Sequence, residues 1–446
     1  MRVLAPFDSL ADDGMVKVLA TVGGALALTL FAWFTSAHKP VTPKGKKQGV
    51  HTLERRHFLL GDLQEMGENA ERLHEWLYET SLRFKGEPWK FYLPGIMNTT
   101  VITTPELLEE LLATQSDIFV RGQATRTITE DLMGKSFITT DGVHWFNQRK
   151  AVAKFFSARA LRKCMQVHLR KNVGQLNAVL DRAAKDGASV DMMPLFQEFA
   201  MQTFSELALG IDLNVIGTGK THVMERGIRE GAPVIMRRGS LPPFWWKLER
   251  WLNVGPERKI KEGMQATRAW LNKVVPESLA AVAAKQQAQA QAGTESDADD
   301  VKSLVELFIE NVDEDTDGLR AADLPEVILS LVIGARGTSA TSLTWYFLLL
   351  NKHPEVERKL RDEMKASLEN VNDDSYVSSD QLSKLVYLEA TIKEMLRLYP
   401  ALPLNQRVAI ADTIIGGSIQ VKKGDNFFFP AYTTARLPTI WGPDAA

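Results

Sequence analysis

Apolar residues follow three patterns along the chain. The first is an unbroken run: Val18 to His38 is 21 residues without a formal charge, apolar through Leu26, Leu28, Leu30, Phe31, Trp33 and Phe34. As a helix it reaches about 30 Å, the thickness of one bilayer core. The second pattern, from Leu63 onward, repeats every three or four residues, as in Leu73, Trp76, Leu77, Thr80 and Leu82, and predicts helices. The third is short and rich in β-branched residues: Met97 to Thr103 predicts a strand, and Thr104-Pro105-Glu106 starts a helix over Glu106 to Ala113. Later, Ser383 to Tyr399 predicts a helix stopped by Pro400, and the Ala/Gln and acidic tract Gln286 to Asp300 an exposed linker. Val327 to Leu350 is a long apolar helix whose one formal charge is Arg336. An arginine at a bilayer centre costs about 2.5 to 3.5 kcal/mol, so this helix is expected in a protein core. The pattern is mainly α with a small β part, preceded by an N-terminal transmembrane helix.

Charge around the first run gives it a direction. Lys39, Lys44, Lys46 and Lys47 follow it, whereas Arg2 and Lys17 precede it together with Asp8, Asp12 and Asp13. Basic residues stay on the cytosolic side, which places the rest of the chain there. A cleaved signal peptide ending near Thr35-Ser36-Ala37 is the rival reading, with an apolar stretch longer than such peptides carry. Pro40 and Pro43 stop the helix and make a stiff hinge. The expected organisation is an anchor over 1–38, a basic, proline-containing hinge over 39–50 and one domain over 51–446, with no internal repeat.

Composition narrows the chemistry. A formal net charge of -2 gives no electrostatic reason to expect nucleic acid. A single cysteine, Cys164, forms no intramolecular disulfide, paired-cysteine zinc site or iron-sulfur cluster. Eight histidines offer no His-Glu-x-x-His pair, so no metal site is expected from histidine. Gly217-Thr218-Gly219-Lys220-Thr221 imitates a phosphate loop, but Asn214 stands where its first glycine belongs.

One constellation carries more. Glu394-Met-Leu-Arg397 puts a carboxylate and a guanidinium on one helix face, which alone is an ordinary surface pair. It is followed by Leu398-Tyr399-Pro400, Pro403 and Arg407, and preceded by His353-Pro354-Glu355-Val356 with Lys359, Leu360 and Glu363. Trp145-Phe-Asn-Gln-Arg149 comes earlier, then the long helix through Thr338, and Ile440-Trp441-Gly442-Pro443-Asp444-Ala445 closes the series. This ordered set resembles the cytochrome P-450 superfamily, the haem-thiolate monooxygenases, over nearly everything after the hinge. The wording around Pro403 to Arg407 and Ile440 to Ala445 is similar to the branch that hydroxylates fatty acids and alkanes at the chain end.

The resemblance implies roles. Haem b is the cofactor, and Arg149 and Arg407 match the family's propionate-binding arginines, with Trp145 supplying an indole donor one turn before Arg149; guanidinium groups suit carboxylates through paired, permanently charged donors. Read locally, Arg149 is a surface residue and Trp145 a core one. Thr338 matches the alcohol that organises proton delivery. Gly337 occupies the position of the usual carboxylate, so a proton-relay group is lost. Glu394 and Arg397 match a structural pair. Further partners implied are an NADPH-dependent reductase, dioxygen, an apolar substrate and the endoplasmic reticulum membrane, crossed once with the catalytic domain in the cytosol.

The iron ligand of the family is a cysteine in a Phe-x-x-Gly-x-Arg-x-Cys-x-Gly loop that follows the Trp-Gly-Pro-Asp-Ala element. The sequence ends at Ala446, directly after that element. The expected fold is therefore that of the family without its ligand loop and final helix, with no metal ligand and no activity in the chain as written, and with Glu394 and Arg397 short of a third, arginine partner. Cys164 lies in a basic stretch over Ser157 to Val173, away from the proximal haem face in family topology. The rival reading is a degenerate, non-catalytic membrane protein that binds an apolar ligand or partner. Leu241 to Lys247, with Arg250 and Trp251, is either a membrane-dipping aromatic tip or an aromatic core segment.

Overall fold

The computed structural model describes residues 50–53, 60–93, 97–155, 165–292, 303, 305–306, 321–368 and 377–446. The expected anchor, most of the hinge, Cys164 and residues 293–300 of the Ala/Gln and acidic tract lie outside the described residues.

In chain order the described elements are β1 (His51–Thr52), α1 (Leu63–Glu68), α2 (Leu73–Arg83), β2 (Trp89–Leu93), β3 (Met97–Val101), α3 (Pro105–Glu109), β4 (Phe119–Val120), α4 (Gly122–Met133) and α5 (Gly142–Phe155). They continue with α6 (Arg170–Asp186), α7 (Met192–Leu209), α8 (Val223–Ser240), α9 (Pro243–Leu252), α10 (Gly255–Ala292), α11 (Leu324–Lys352), α12 (Pro354–Ser367), α13 (Ser379–Leu382) and α14 (Val386–Leu398). Last come β5 (Asn405–Ala409), β6 (Thr413–Ile415), β7 (Ile419–Val421), β8 (Asn426–Phe429), α15 (Ala431–Thr434) and α16 (Pro438–Trp441). The chain is mainly helical with a small sheet part, as the pattern predicts.

The helical part is built around α11. Its first half, from Leu324 through Val332, is buried against α7, α8 and α10 in one apolar core. By length and composition it is the one described helix able to cross a membrane, yet half of its most apolar window is buried within the protein. Arg336 is buried on it and paired, which fits the core position expected from the sequence. α7 is apolar on most of its faces; the Asp191 carboxylate accepts from Met193 N at 3.2 Å to start it, and Gly210 at φ 72° ends it. α8 lies on α10 at backbone range because both carry glycine: a Cβ on Gly227 would come within 2.4 Å of Thr267 Oγ1 and 3.0 Å of the Gly263 carbonyl oxygen.

The sheet part runs β1-β2-β3-β8-β5-β4, with β1/β2 and β3/β8 parallel and the other pairs antiparallel; β6 and β7 form a separate hairpin. Trp76, Trp89, Phe91 and Phe428 pack beneath it at ring separations of 5.5 to 6.0 Å. The strand at Met97 is shorter than the sequence pattern suggests, ending at Val101.

Two expected helices change shape. The stretch expected to run from Glu106 to Ala113 is a short α-helix opened by Pro105, widening into a π turn over Glu110–Thr114. The helix expected from Ser383 starts only at Val386, because the Glu363 carboxylate accepts from Tyr387 N at 2.7 Å and Leu388 N at 2.9 Å and caps it there.

Candidate active site

The end of one strand pair brings two arginines within electrostatic reach. β4 and β5 are antiparallel, with Val120 paired to Val408; Arg121 leaves the ladder in helical conformation directly after Val120, and Arg407 directly precedes Val408. Like charges this near repel. Burial lowers both guanidinium pKa values, Arg121 pushes Arg407 down further, and Asp141 works against both shifts. Asp141 is already well used: it accepts from Arg121 N at 3.0 Å, Gly122 N at 3.2 Å and Arg126 Nη2 at 3.3 Å, so it starts α4 and holds a third guanidinium. Arg407 Nη1 donates to the Gln406 carbonyl at 2.9 Å, and its guanidinium carbon lies 5.7 Å from the Phe429 ring. A half-buried group of three cations around one carboxylate is short of negative charge. That chemistry fits an apolar dianion, as the two propionates of haem would present.

α5 carries Trp145 and Arg149 one turn apart, and both are exposed. Neither forms a hydrogen bond or ion pair with Arg121 or Arg407 among the described residues. Phe146 and Val143 are exposed beside them, so an apolar group can reach this helix. The buried side of α5 carries Gln148, whose amide nitrogen donates to the Lys135 carbonyl at 3.1 Å.

On α11, Thr338 Oγ1 donates to the Gly334 carbonyl at 2.6 Å, one turn earlier. A Cβ built on Gly337 meets nothing within 4 Å. A carboxylate side chain has room to start there, and the chain does not supply one.

Glu394 and Arg397 pair through two hydrogen bonds, Nε to Oε2 at 2.8 Å and Nη2 to Oε1 at 2.6 Å. The hydrogen bonds from Arg397, ahead of burial, hold the Glu394 carboxyl below its ordinary range. The sequence led us to expect a partly satisfied buried network, and the geometry differs. Glu394 is exposed, and Arg397 Nη1 donates to the Ala445 carbonyl at 2.7 Å and to the Ala435 carbonyl, with the guanidinium 4.9 Å from the Trp441 ring. Backbone oxygens satisfy Arg397 where a further charged partner was expected to be needed.

Sequence reasoning named Arg407 and gave no sign of Arg121 or Asp141 beside it. Arg121 follows a two-residue strand whose partner is almost 290 residues away in sequence, so no local spacing reveals the pair.

The Cytochrome P450 family model matches residues 52–446. Cytochrome P450 704C1 of Pinus taeda is 28% identical, covering 97% of this chain and 83% of the relative. Cytochrome P450 86B1 of Arabidopsis thaliana is 25% identical over 83% of this chain and 67% of its own length. Cytochrome P450 94A2 of Vicia sativa is 24% identical over 94% and 79%. The chain belongs to the cytochrome P450 family, and is thus an oxidoreductase of the haem-dependent monooxygenase class. When bound, haem supplies the oxygen-activating chemistry of that family; a reductase, dioxygen and an apolar substrate are its general partners.

Proposed function

We propose that the protein is a membrane-anchored monooxygenase acting on a fatty-acid or alkane-like substrate, with Arg121 and Arg407, joined by Trp145 and Arg149, holding the two haem propionates. The observation that carries this reading is the repelling pair Arg121 and Arg407, which share a single, already occupied carboxylate. Thr338, whose Oγ1 proton rests on the Gly334 carbonyl, is the proton-delivery residue in this reading, while Gly337 leaves that helix without the acid that would resupply it. Glu394 and Arg397 fix the end of α14 to the backbone at Ala435 and Ala445 and have a structural role.

The anchor over 18–38 and the basic hinge tether the domain to the cytosolic face of the endoplasmic reticulum, where an NADPH-dependent reductase delivers electrons. α9 lies against that membrane: Trp246 is 1% exposed and packs inward, whereas Phe244, Trp245, Leu248 and Trp251 are exposed. In this reading Trp246 belongs to the core and the four exposed residues to the membrane tip, so each alternative left open by the sequence holds for part of the segment.

Cys164 is not the axial ligand in this reading, so residues 1–446 expressed as such are expected to bind haem without thiolate ligation. The test is the spectrum of the haem-loaded, reduced protein under carbon monoxide. The expected result is no thiolate-type Soret shift; seeing one would overturn that assignment. A second reading, a non-catalytic membrane protein that binds an apolar ligand, is favoured by Gly337. It predicts ligand binding with no response to added reductase and NADPH in any chain that does carry an axial thiolate.

A further inference from the structure

Three guanidinium groups from three different helices close on the last turn of α4. Arg238 of α8 is 1% exposed and donates to Asp131 Oδ2 at 2.7 Å, to the Ile128 carbonyl at 2.8 Å and, through two hydrogen bonds of 2.9 and 2.5 Å, to the buried Glu257 at the start of α10. Arg268 of α10 donates to the Asp131 carbonyl at 2.8 Å while pairing with Glu326 of α11 at 2.6 Å. Arg250 of α9 reaches the other Asp131 oxygen at 3.0 Å. The carbonyl end of a helix carries partial negative charge, so cations gather there favourably. Gly134 ends α4 directly against α11: at φ 59° its Cβ would lie 1.7 Å from Glu326 Oε2.

The three arginines differ in what they can give up. Arg238 is sealed in, with the Trp246 ring 4.9 Å from its guanidinium, and a buried ion pair does not exchange partners cheaply. The Arg250 side chain is 46% exposed, makes one hydrogen bond, and rides on the helix that exposes Phe244, Trp245, Leu248 and Trp251. Lys247, Lys259 and Lys261 are exposed nearby, Arg258 pairs with Glu262 at 3.7 Å, and Glu249 is engaged by both terminal nitrogens of Arg237. An apolar helix face ringed by cations matches a bilayer surface that bears anionic headgroups.

We propose that Arg250 is an exchangeable latch: anionic lipid headgroups compete with Asp131 for it, so contact with a negatively charged bilayer frees α9 from α4 and weakens the last turn of α4, which Arg238 and Arg268 still tether. This rests on the reading of α9 as membrane-facing. The competing preferences are matched in size. An exposed pair of this kind biases an equilibrium by at most about fivefold. An arginine at an anionic surface gains about the same factor. Arg238, out of reach of headgroups, is not open to that trade.

The test is peptide-level hydrogen exchange on the full chain in bilayers of phosphatidylcholine alone and of phosphatidylcholine with phosphatidylserine. In both, residues 243–252 are expected to be protected relative to detergent. Residues 122–133 should exchange about two- to fivefold faster in the anionic bilayer. Arg250→Gln should show the faster exchange in both bilayers, and Lys247→Gln should keep the response. If 243–252 is protected but 122–133 is indifferent to headgroup charge, or Arg250→Gln still responds, the latch is wrong and the membrane contact stands. If neither bilayer protects 243–252, both are wrong.

Discussion

Arg336 in the middle of α11 and Glu225 in the first turn of α8 form a two-pronged ion pair, with Nε to Oε2 at 2.5 Å and Nη2 bound to Oε1, and Gln197 of α7 accepts from the same guanidinium at 2.8 Å. A cation that makes α11 improbable as a membrane span is thus the point where three helices are pinned together, one residue before Gly337 and two before Thr338. Removing one member of a buried pair leaves the other uncompensated, at about 3 to 5 kcal/mol. Glu225→Ala or Arg336→Ala should lower the urea unfolding free energy by that order. The double replacement by leucine should recover most of the loss. Single variants as stable as the parent would show that the pair contributes nothing.

Glycine positions on the two long helix interfaces should respond in opposite ways. A Cβ at Gly337 meets nothing within 4 Å, so Gly337→Ala is expected to gain about 0.5 to 1 kcal/mol from helix propensity, and Gly337→Asp to fold normally. Gly227→Ala meets Thr267 Oγ1 and the Gly263 carbonyl and is expected to lose about 1 to 3 kcal/mol. Urea denaturation of the variants checks both; a destabilised Gly337→Ala would contradict the open space beside that position.

Acid should weaken the contact between α6 and α7. Glu206 is buried and, although burial alone would raise its pKa, hydrogen bonds from His168, Lys171 and Asn172 hold it below the ordinary carboxylate range. A carboxylate with a depressed folded pKa stabilises the fold above its unfolded pKa of about 4.3, and that contribution is lost as pH falls through the lower folded value. Unfolding free energy measured from about pH 6 down to pH 3 should fall steeply below about pH 4.5. In Glu206→Gln that slope should flatten, with lower stability at neutral pH; an unchanged slope would assign the acid response to other groups.

The parts of the fold legible in the sequence are those that depend on neighbours along the chain. The apolar spacing around Trp76 and Leu77, the Thr104-Pro105 helix start and the long helix around Arg336 all stand where the pattern puts them. What the pattern misses depends on residues far apart. The start of α14 is set by Glu363, more than twenty residues earlier, and the partner of Arg336 is Glu225 on another helix. In α9 the alternation of Trp246 with its neighbours decides which rings face inward, and composition alone could not divide them. At the candidate site, Arg407 was visible through its motif, whereas Arg121 became visible only when the pairing of β4 with β5 set its charge against that of Arg407.

That opposition is most directly tested by comparing haem with its dimethyl ester, which keeps the apolar ring and removes both negative charges. Binding to the purified chain is followed by quenching of tryptophan fluorescence, for the parent and for Arg121→Gln and Arg407→Gln. Charge-assisted hydrogen bonds contribute about 1.5 to 3 kcal/mol each. The parent should therefore prefer the free acid by roughly tenfold or more, and each variant should lose most of that preference while binding the ester as the parent does. Equal affinity of the parent for haem and its ester, or a preference that survives in both variants, would contradict the assignment of Arg121 and Arg407 as the propionate-binding pair.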